Sequence, residues 1–213
     1  MNINQPDNCP EPKRRDTDER RVQIAAAARA LIVECGFEGL RTRDIAERVG
    51  INVATMHYHV PTKEALVELL AQSLRDEFMA QHERRPRHGL SPLELLREEF
   101  ADFRETEVEN PELHLVMVEL TERARRDEKI AAVIRPMQGY WHNQLAEILA
   151  QGREDGSFRA DIDPQAAASL VIGAMISARK RDDDIRFFDR VAAEIERSLI
   201  SQDVNPANQG NRT

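Results

Sequence analysis

The feature that most constrains this chain is a glycine that separates two short helical segments. The first segment, Thr42–Val49, carries its apolar residues on one face and is followed by Gly50. Asn52 then precedes a second segment, which Pro61 ends. Glycine permits the positive φ of a tight turn, asparagine is a preferred N-cap, and proline cannot continue a helix. The pattern over residues 42–60 is therefore typical of a helix-turn-helix.

Start signals for further helices recur along the rest of the chain. Ser91-Pro92 followed by Glu94 supplies an N-cap, an N1 proline and an N3 glutamate, and Asn110-Pro111 and Asp163-Pro164 repeat the cap-plus-proline device. Aromatic residues make up only 5% of the chain, and runs of β-branched residues are scarce. We predict an all-α fold of about nine helices, with an N-terminal three-helix helix-turn-helix domain ahead of a larger helical domain.

The first helix is predicted at Arg20–Cys35, before the helix-turn-helix. Gly36 then has the position of a C′ residue, and Phe37 could close on Ile32 as a Schellman ending requires. Residues 1–18 are polar and are predicted to form a flexible tail.

Charge, hydropathy and cysteine content narrow the function classes. The net charge of −8 argues against bulk coating of nucleic acid, but residues 1–63 contain ten Lys/Arg against nine Asp/Glu, so the acidic excess lies in the remainder. No segment approaches the roughly 18–20 apolar residues of a membrane helix. Cys9 and Cys35 could form a disulfide, but a reduced, cytoplasmic chain without membrane partners is the simpler interpretation.

Enzymes and metal sites are poorly supported by the sequence. It contains no HExxH, no GxSxG and no glycine-rich phosphate loop, so we predict no catalytic activity and no cofactor. His57 and His59 are two residues apart, so on a helix they point in different directions, and we predict no metal site. A DNA-independent all-α interaction protein is the alternative to a DNA-binding regulator, and a small-molecule enzyme is a more remote one.

The region around the helix-turn-helix resembles the TetR family of bacterial transcriptional regulators. The resemblance covers residues 19–78 and implies a ligand-responsive repressor that binds a near-palindromic operator as a homodimer. The matching positions are Gly36-Phe37, Ile45-Ala46, Gly50-Ile51, Thr55-Met56, Tyr58-His59-Val60 and Lys63-Glu64-Ala65-Leu66.

The resemblance assigns the second helix of the motif to base recognition. It implies that Thr55, Tyr58 and His59 face the major groove of the operator. Val53 and Ala54 present small apolar groups suited to thymine methyls.

Other residues would contact the DNA backbone according to the same resemblance. Thr42 and Arg43 approach it from the first helix of the motif, and Lys63 pairs with a phosphate. The family usually has a tyrosine at the position of His57 and a threonine at that of Arg41, so histidine would donate the hydrogen bond that a tyrosine hydroxyl makes. The predicted DNA-binding set is Thr42, Arg43, Asn52, Val53, Ala54, Thr55, His57, Tyr58, His59 and Lys63.

The remaining expectations concern the ligand-binding and dimerisation domain, which we place at residues 79–200, before a flexible tail at 201–213. The resemblance implies a cavity there for a small effector, expected to be apolar. Met and aromatic side chains suit such a cavity, although each also lies on a helical stripe that could simply be core. The candidate ligand-binding residues are Phe100, Phe103, His114, Met117, Met137, Tyr140 and Trp141.

Dimerisation is expected through the last two helices. The final helix carries large apolar residues at helical spacing, which would form an exposed stripe in a monomer. These residues are Ile185, Phe188, Val191, Ile195 and Leu199.

Overall fold

The structure is a computed structural model that describes residues 12–106, 110–178 and 185–201. Within these ranges it contains nine helices and no β-strand, so the predicted all-α fold is confirmed. The helices are α1 (Pro12–Gly39), α2 (Thr42–Val49), α3 (Val53–His59), α4 (Lys63–Glu83), α5 (Pro92–Arg104), α6 (Pro111–Ala124), α7 (Glu128–Asp155), α8 (Pro164–Ala178) and α9 (Ile185–Leu199).

The chain divides into two compact units. The N-terminal unit comprises residues 1–77 together with Leu115–Ile134. The C-terminal unit comprises Phe78–His114 together with Arg135–Thr213. Helices α4, α6 and α7 each contribute residues to both units. The unit that contains the helix-turn-helix therefore also takes in a later part of the chain.

The boundaries of α1 differ from the prediction at both ends. The helix begins at Pro12 rather than Arg20, so it includes part of the segment expected to be a tail. Gly36 has the expected positive φ of 70°, but its ψ of 168° lies outside the left-handed helical region. The predicted Schellman ending at Gly36 is therefore wrong, and the glycine instead bends α1 ahead of its last residues.

Several helices begin at a capping side chain. The Thr62 hydroxyl accepts a hydrogen bond from the backbone N–H of Ala65 at 3.1 Å, at the start of α4. The predicted capping box of α5 is confirmed, because Ser91 and Glu94 each accept a hydrogen bond from the other's backbone N–H. Asp163 accepts from two backbone N–H groups in the first turn of α8. These caps satisfy donors that a helix start leaves unpaired.

The core of the C-terminal unit contains residues of α5, α7, α8 and α9. Phe158 is fully buried in it, and its ring lies where a Cβ on Gly152 would be, so that position requires glycine. Phe188 and Leu199 of α9 are also buried in this core. The predicted exposed stripe on α9 is therefore wrong at these two positions, because they are satisfied by packing within the chain's own unit.

Within the described residues, no helix is long and apolar enough to cross a membrane.

Candidate nucleic-acid interface

The turn between α2 and α3 is built on Gly50. Its backbone has φ 74° and ψ 33°, the left-handed conformation that glycine adopts without a Cβ clash. The Gly50 N–H donates to the carbonyl of Glu47 at 3.1 Å, and the Ile51 N–H donates to that of Ala46 at 2.9 Å. These two bonds form the Schellman motif that the sequence placed at Gly36. They end α2 sharply and so fix the direction in which the chain enters α3.

Asn52 caps the N-terminus of α3, as predicted. Its Oδ1 accepts a hydrogen bond from the Thr55 backbone N–H at 2.7 Å. The cap satisfies a donor that α3 leaves unpaired, which matters because the helix spans only Val53–His59. Asn52 was also placed in the DNA-binding set, and here its carbonyl oxygen has a structural role.

The faces of α2 and α3 that point towards each other are apolar and buried. Ile45 and Ala46 of α2 are buried, as are Met56 of α3 and Val60 directly after it. The apolar face predicted for the first helix of the motif is therefore buried. Burying them locks α3 against α2 and leaves the opposite face of α3 to solvent.

That outer face of α3 carries most of the predicted recognition residues. Tyr58 is 79% exposed, an unusual environment for a large aromatic side chain. Its ring meets the half-buried His59 ring edge to face, with centroids 5.1 Å apart. Val53 and Ala54 are exposed, and Thr55 is half-buried. An exposed aromatic beside small and polar groups is suited to contacting a partner rather than to filling a core.

Two clefts flank α3. The first has a volume of about 610 Å³ and is lined on the α3 side by Thr55, Tyr58 and His59. The second, of about 380 Å³, is lined by His57 of α3 and by Val60. With 3.6 residues per turn, these two sets lie on opposite sides of the helix. A helix with a concave surface on each side is suited to entering a groove whose walls are two charged strands.

The second cleft, which we call the Lys63 cleft, gathers several residues predicted to contact phosphate. It brings Thr42 at the start of α2 together with His57 and Lys63. Arg41, the departure noted in the sequence, lines it as well. The remaining lining residues are Phe37, Glu38, Leu40, Val60, Pro61, Thr62 and Leu66. Arg43 lies outside both sets, with a side chain that is largely exposed.

Lys63 is held in a defined position at this cleft. Its Nζ lies 5.1 Å from the centroid of the Phe37 ring, which is within the range of a cation–π interaction. The side chain nevertheless remains exposed. Lys63 can therefore offer its ammonium to an anion at little further cost in conformational freedom.

Sequence reasoning missed two arginines of α1 near α3. Arg20 lines the first cleft. Arg21 donates a hydrogen bond from Nη1 to the carbonyl oxygen of His59, the last residue of α3, at 3.1 Å. Both lie in the first part of α1, and the second contact joins residues 38 positions apart in sequence. The basic residues at 20 and 21 were the available signal, but their partner was not predictable from local pattern.

Two family models match the sequence. One, described as bacterial regulatory proteins of the tetR family, matches residues 24–70. The other, described as the C-terminal part of BetI-type transcriptional repressors, matches residues 92–177. The chain belongs to the TetR family. The predicted resemblance is confirmed, and the protein is a DNA-binding transcriptional regulator.

Individual TetR-family relatives agree with this assignment. The HTH-type transcriptional repressor KstR2 of Mycobacterium tuberculosis is 26% identical over 146 residues, which cover 68% of this chain and 72% of KstR2. The class D tetracycline repressor of Escherichia coli is 39% identical over 62 residues, 29% of this chain and 27% of that protein.

A solved structure shares the fold across both units. It is a transcriptional regulator from Saccharomonospora viridis in complex with choline, with a TM-score of 0.77 and 22% identity. The match covers 87% of this chain and all of that one.

The TetR-family C-terminal unit contains an aromatic cluster. The Trp141 ring lies 4.7 Å from that of Phe78 and 5.8 Å from that of Phe103, centroid to centroid. Phe103 and Trp141 were candidate ligand-binding residues, whereas Phe78 was not. Of the other candidates, Phe100, His114 and Met137 are buried, Tyr140 is exposed, and Met117 belongs to the N-terminal unit.

The arginines between α4 and α5 form a network with α5. Arg85 and Arg87 both pair with Asp102, and Arg87 also pairs with Glu99. These ion pairs hold the side chains of Arg85 and Arg87 against α5. Burial raises the pKa of both Glu99 and Asp102, against the attraction of these arginines. His82 lies close to both carboxylates, but the arginines already compensate their charge.

Proposed function

We propose that the protein is a repressor that binds a near-palindromic operator as a homodimer and is released by a small, largely apolar effector. The observation that carries the DNA-binding part of this proposal is the outer face of α3. It presents Tyr58 and Val53 to solvent, and it lies between two clefts of which one holds Lys63. In a complex, α3 enters the major groove and the Lys63 cleft receives a flanking DNA backbone.

The proposal divides the roles of the predicted residues by chemistry. Thr55, Tyr58 and His59 contact base edges, while Val53 and Ala54 contact thymine methyls. The Lys63 cleft receives a phosphate of the DNA backbone, which is bound by Lys63 and the residues around it. Phosphate contacts position the protein without reading sequence, so the two groups have different experimental signatures.

Dimerisation through the last two helices is supported by the exposed apolar surface of α8. Leu170 is 74% exposed and Ile176 is 42% exposed. Large aliphatic side chains at this exposure lose contact with water when a second copy covers them. Two-fold symmetry then places the two α3 helices about 34–36 Å apart, or somewhat wider, to match successive major grooves.

The effector is proposed to bind in the C-terminal unit near Trp141 and Phe103. An apolar ligand gains from the aromatic surface, and the Trp141 indole adds a polar handle. The effector releases DNA only through unequal affinity for two states of the dimer. One structural relative was solved with choline, and KstR2 is described as a ketosteroid regulator, so members of this family differ in their ligands.

In this proposal residues 19–78 carry DNA binding and residues 79–200 carry effector binding and dimerisation. The segment Leu115–Ile134 lies within the second of these ranges, but it packs as part of the N-terminal unit.

Selection of bound sequences from a random duplex pool, at two salt concentrations, tests the proposal. We expect a two-fold symmetric site whose affinity falls as salt rises, because phosphate contacts release counterions. Recovery of an asymmetric half-site alone would remove the dimer from the proposal. Recovery of no site at either salt concentration would contradict operator binding by the effector-free protein.

A further inference from the structure

The Lys63 cleft has an acidic residue in its wall. Glu38 lines it together with the basic residues Arg41 and Lys63. A carboxylate beside a phosphate site opposes binding in two ways. It repels the phosphate directly, and it offers the lysine an alternative partner. A cleft that binds phosphate therefore needs something to compensate Glu38.

Arg123 of α6 supplies that compensation. Its guanidinium forms an ion pair with the Glu38 carboxylate. The same guanidinium lies 5.6 Å from the centroid of the Phe37 ring, the ring that also supports Lys63. The neighbouring Glu119 accepts a hydrogen bond from the Phe37 backbone N–H at 3.3 Å. Helix α6 thus holds the end of α1 that forms one wall of the cleft.

A second acidic residue next to the cleft is compensated in the same way. Glu64 follows Lys63 directly in sequence, and its carboxylate accepts a hydrogen bond from Lys129 Nζ at 2.9 Å. This bond lowers the pKa of Glu64 to about 2, because the ammonium of Lys129 stabilises the charged carboxylate. Both cations, Arg123 and Lys129, come from the Leu115–Ile134 part of the N-terminal unit.

We propose that Arg123 and Lys129 are positioning residues for DNA binding, because they engage Glu38 and Glu64 and so leave Lys63 available to a phosphate. This inference rests on the proposed function and adds to it a role for residues outside the helix-turn-helix. Neither cation needs to touch DNA. Each acts through the carboxylate that it pairs with.

The expected size of the effect is modest, since these ion pairs are open to solvent. Glu38 in particular is 73% exposed at its side chain. Exposed charge pairs of this kind change an equilibrium about two- to fivefold, and salt screens them. The effect should therefore be measured at low ionic strength against a matched control.

Fluorescence anisotropy with a selected operator duplex tests the inference, using four variants of the full chain. We expect Arg123→Gln to weaken binding about two- to fivefold. The double variant Arg123→Gln/Glu38→Gln should regain the affinity of the unsubstituted protein, because no unpaired carboxylate remains. Glu38→Gln alone should bind at least as tightly. Arg125→Gln is the control, since Arg125 follows α6 directly, two residues after Arg123, and forms an exposed ion pair with Glu122.

Each outcome decides the inference. Unchanged binding by Arg123→Gln overturns it. Weaker binding that Glu38→Gln fails to rescue, together with a salt slope reduced by about one, overturns it in favour of a direct phosphate contact by Arg123. Recovery of operator affinity in the double variant, with a thermal unfolding midpoint that Arg123→Gln leaves unchanged, supports it. Failure of the unsubstituted protein to bind any selected duplex overturns the proposed function as well, which separates the two failures.

Discussion

The guanidinium of Arg21 and the carbonyl oxygen of His59 are joined by a hydrogen bond of 3.1 Å. The bond ties α1 to the last residue of α3, whose C-terminus carries the negative end of the helix dipole. A seven-residue helix is only marginally stable by itself and depends on contacts with neighbouring elements. Arg21 therefore contributes to the angle at which α3 is presented.

Replacing Arg21 tests this contact. We expect Arg21→Ala to weaken operator binding about tenfold, the equivalent of roughly 1.4 kcal/mol, close to the lower end of the range for a hydrogen bond to a charged group. Arg21→Lys should keep part of the affinity, because an ammonium can still donate to the carbonyl. Anisotropy titrations measure the affinities, and circular dichroism checks that the helical content is intact. Equal binding by Arg21→Ala and the unsubstituted protein would rule out the positioning role.

The Asn52 cap should be visible in stability. Asn52→Ala removes the acceptor for the Thr55 N–H and should lower the free energy of unfolding by about 1 kcal/mol. Asn52→Ser restores a capping hydroxyl and should recover most of that loss. Urea unfolding monitored by circular dichroism measures both variants. Three proteins of equal stability would show that the cap contributes nothing.

The pair formed by Glu64 and Lys129 predicts a pH dependence. Hydrogen bonding to Lys129 lowers the pKa of Glu64 to about 2 from a usual value of 4.5. A lowered carboxyl pKa contributes stability that is present above the unfolded value and is lost as the pH falls through the folded one. Lys129→Met should therefore be less stable than the unsubstituted protein at pH 7.

The difference in free energy of unfolding between Lys129→Met and the unsubstituted protein should become smaller as the pH falls from about 4.5 to 2, where Glu64 becomes protonated. Urea unfolding at a series of pH values measures it. A difference that stays constant across this range would mean that Lys129 acts by some route other than the Glu64 charge.

The proposed dimer predicts unequal effects of two similar substitutions. Leu170 on α8 and Leu115 on α6 are both exposed leucines, 74% and 43% respectively. Leu170→Glu places a charge in the proposed interface and should shift the protein towards monomer, because burying an unpaired carboxylate is costly. Leu115→Glu should leave the dimer intact. Sedimentation velocity measures both, and a dimer that survives Leu170→Glu would place the interface elsewhere.

Local sequence signals predicted most of the helix starts, but they did not predict contacts between residues that are far apart in the sequence. Asn52, Thr62 and Ser91 cap α3, α4 and α5 because each cap depends on residues within a few positions. A positive φ was expected at both Gly36 and Gly50, and both glycines have one. The ψ angle depends on packing, however, and only Gly50 forms the Schellman motif.

Contacts between distant segments explain what the sequence did not reveal. Arg21 meets His59, and Arg123 meets Glu38, across separations that no periodicity encodes. The prediction of an exposed stripe on α9 failed in part for the same reason. The sequence pattern of an apolar helix face is the same whether the face packs on the chain's own core or on a second copy. Phe188 packs against the chain's own core.

The most direct test of the central claim, that the outer face of α3 reads the operator, uses the only two tyrosines of the chain. Tyr58 lies on that face and is 79% exposed, while Tyr140 lies on α7 in the C-terminal unit and is 50% exposed. The measurement is an anisotropy titration of a selected operator with Tyr58→Ala and Tyr140→Ala. The account predicts that Tyr58→Ala loses about tenfold or more in affinity, and that Tyr140→Ala binds as the unsubstituted protein does. Equal affinities for all three proteins would contradict it.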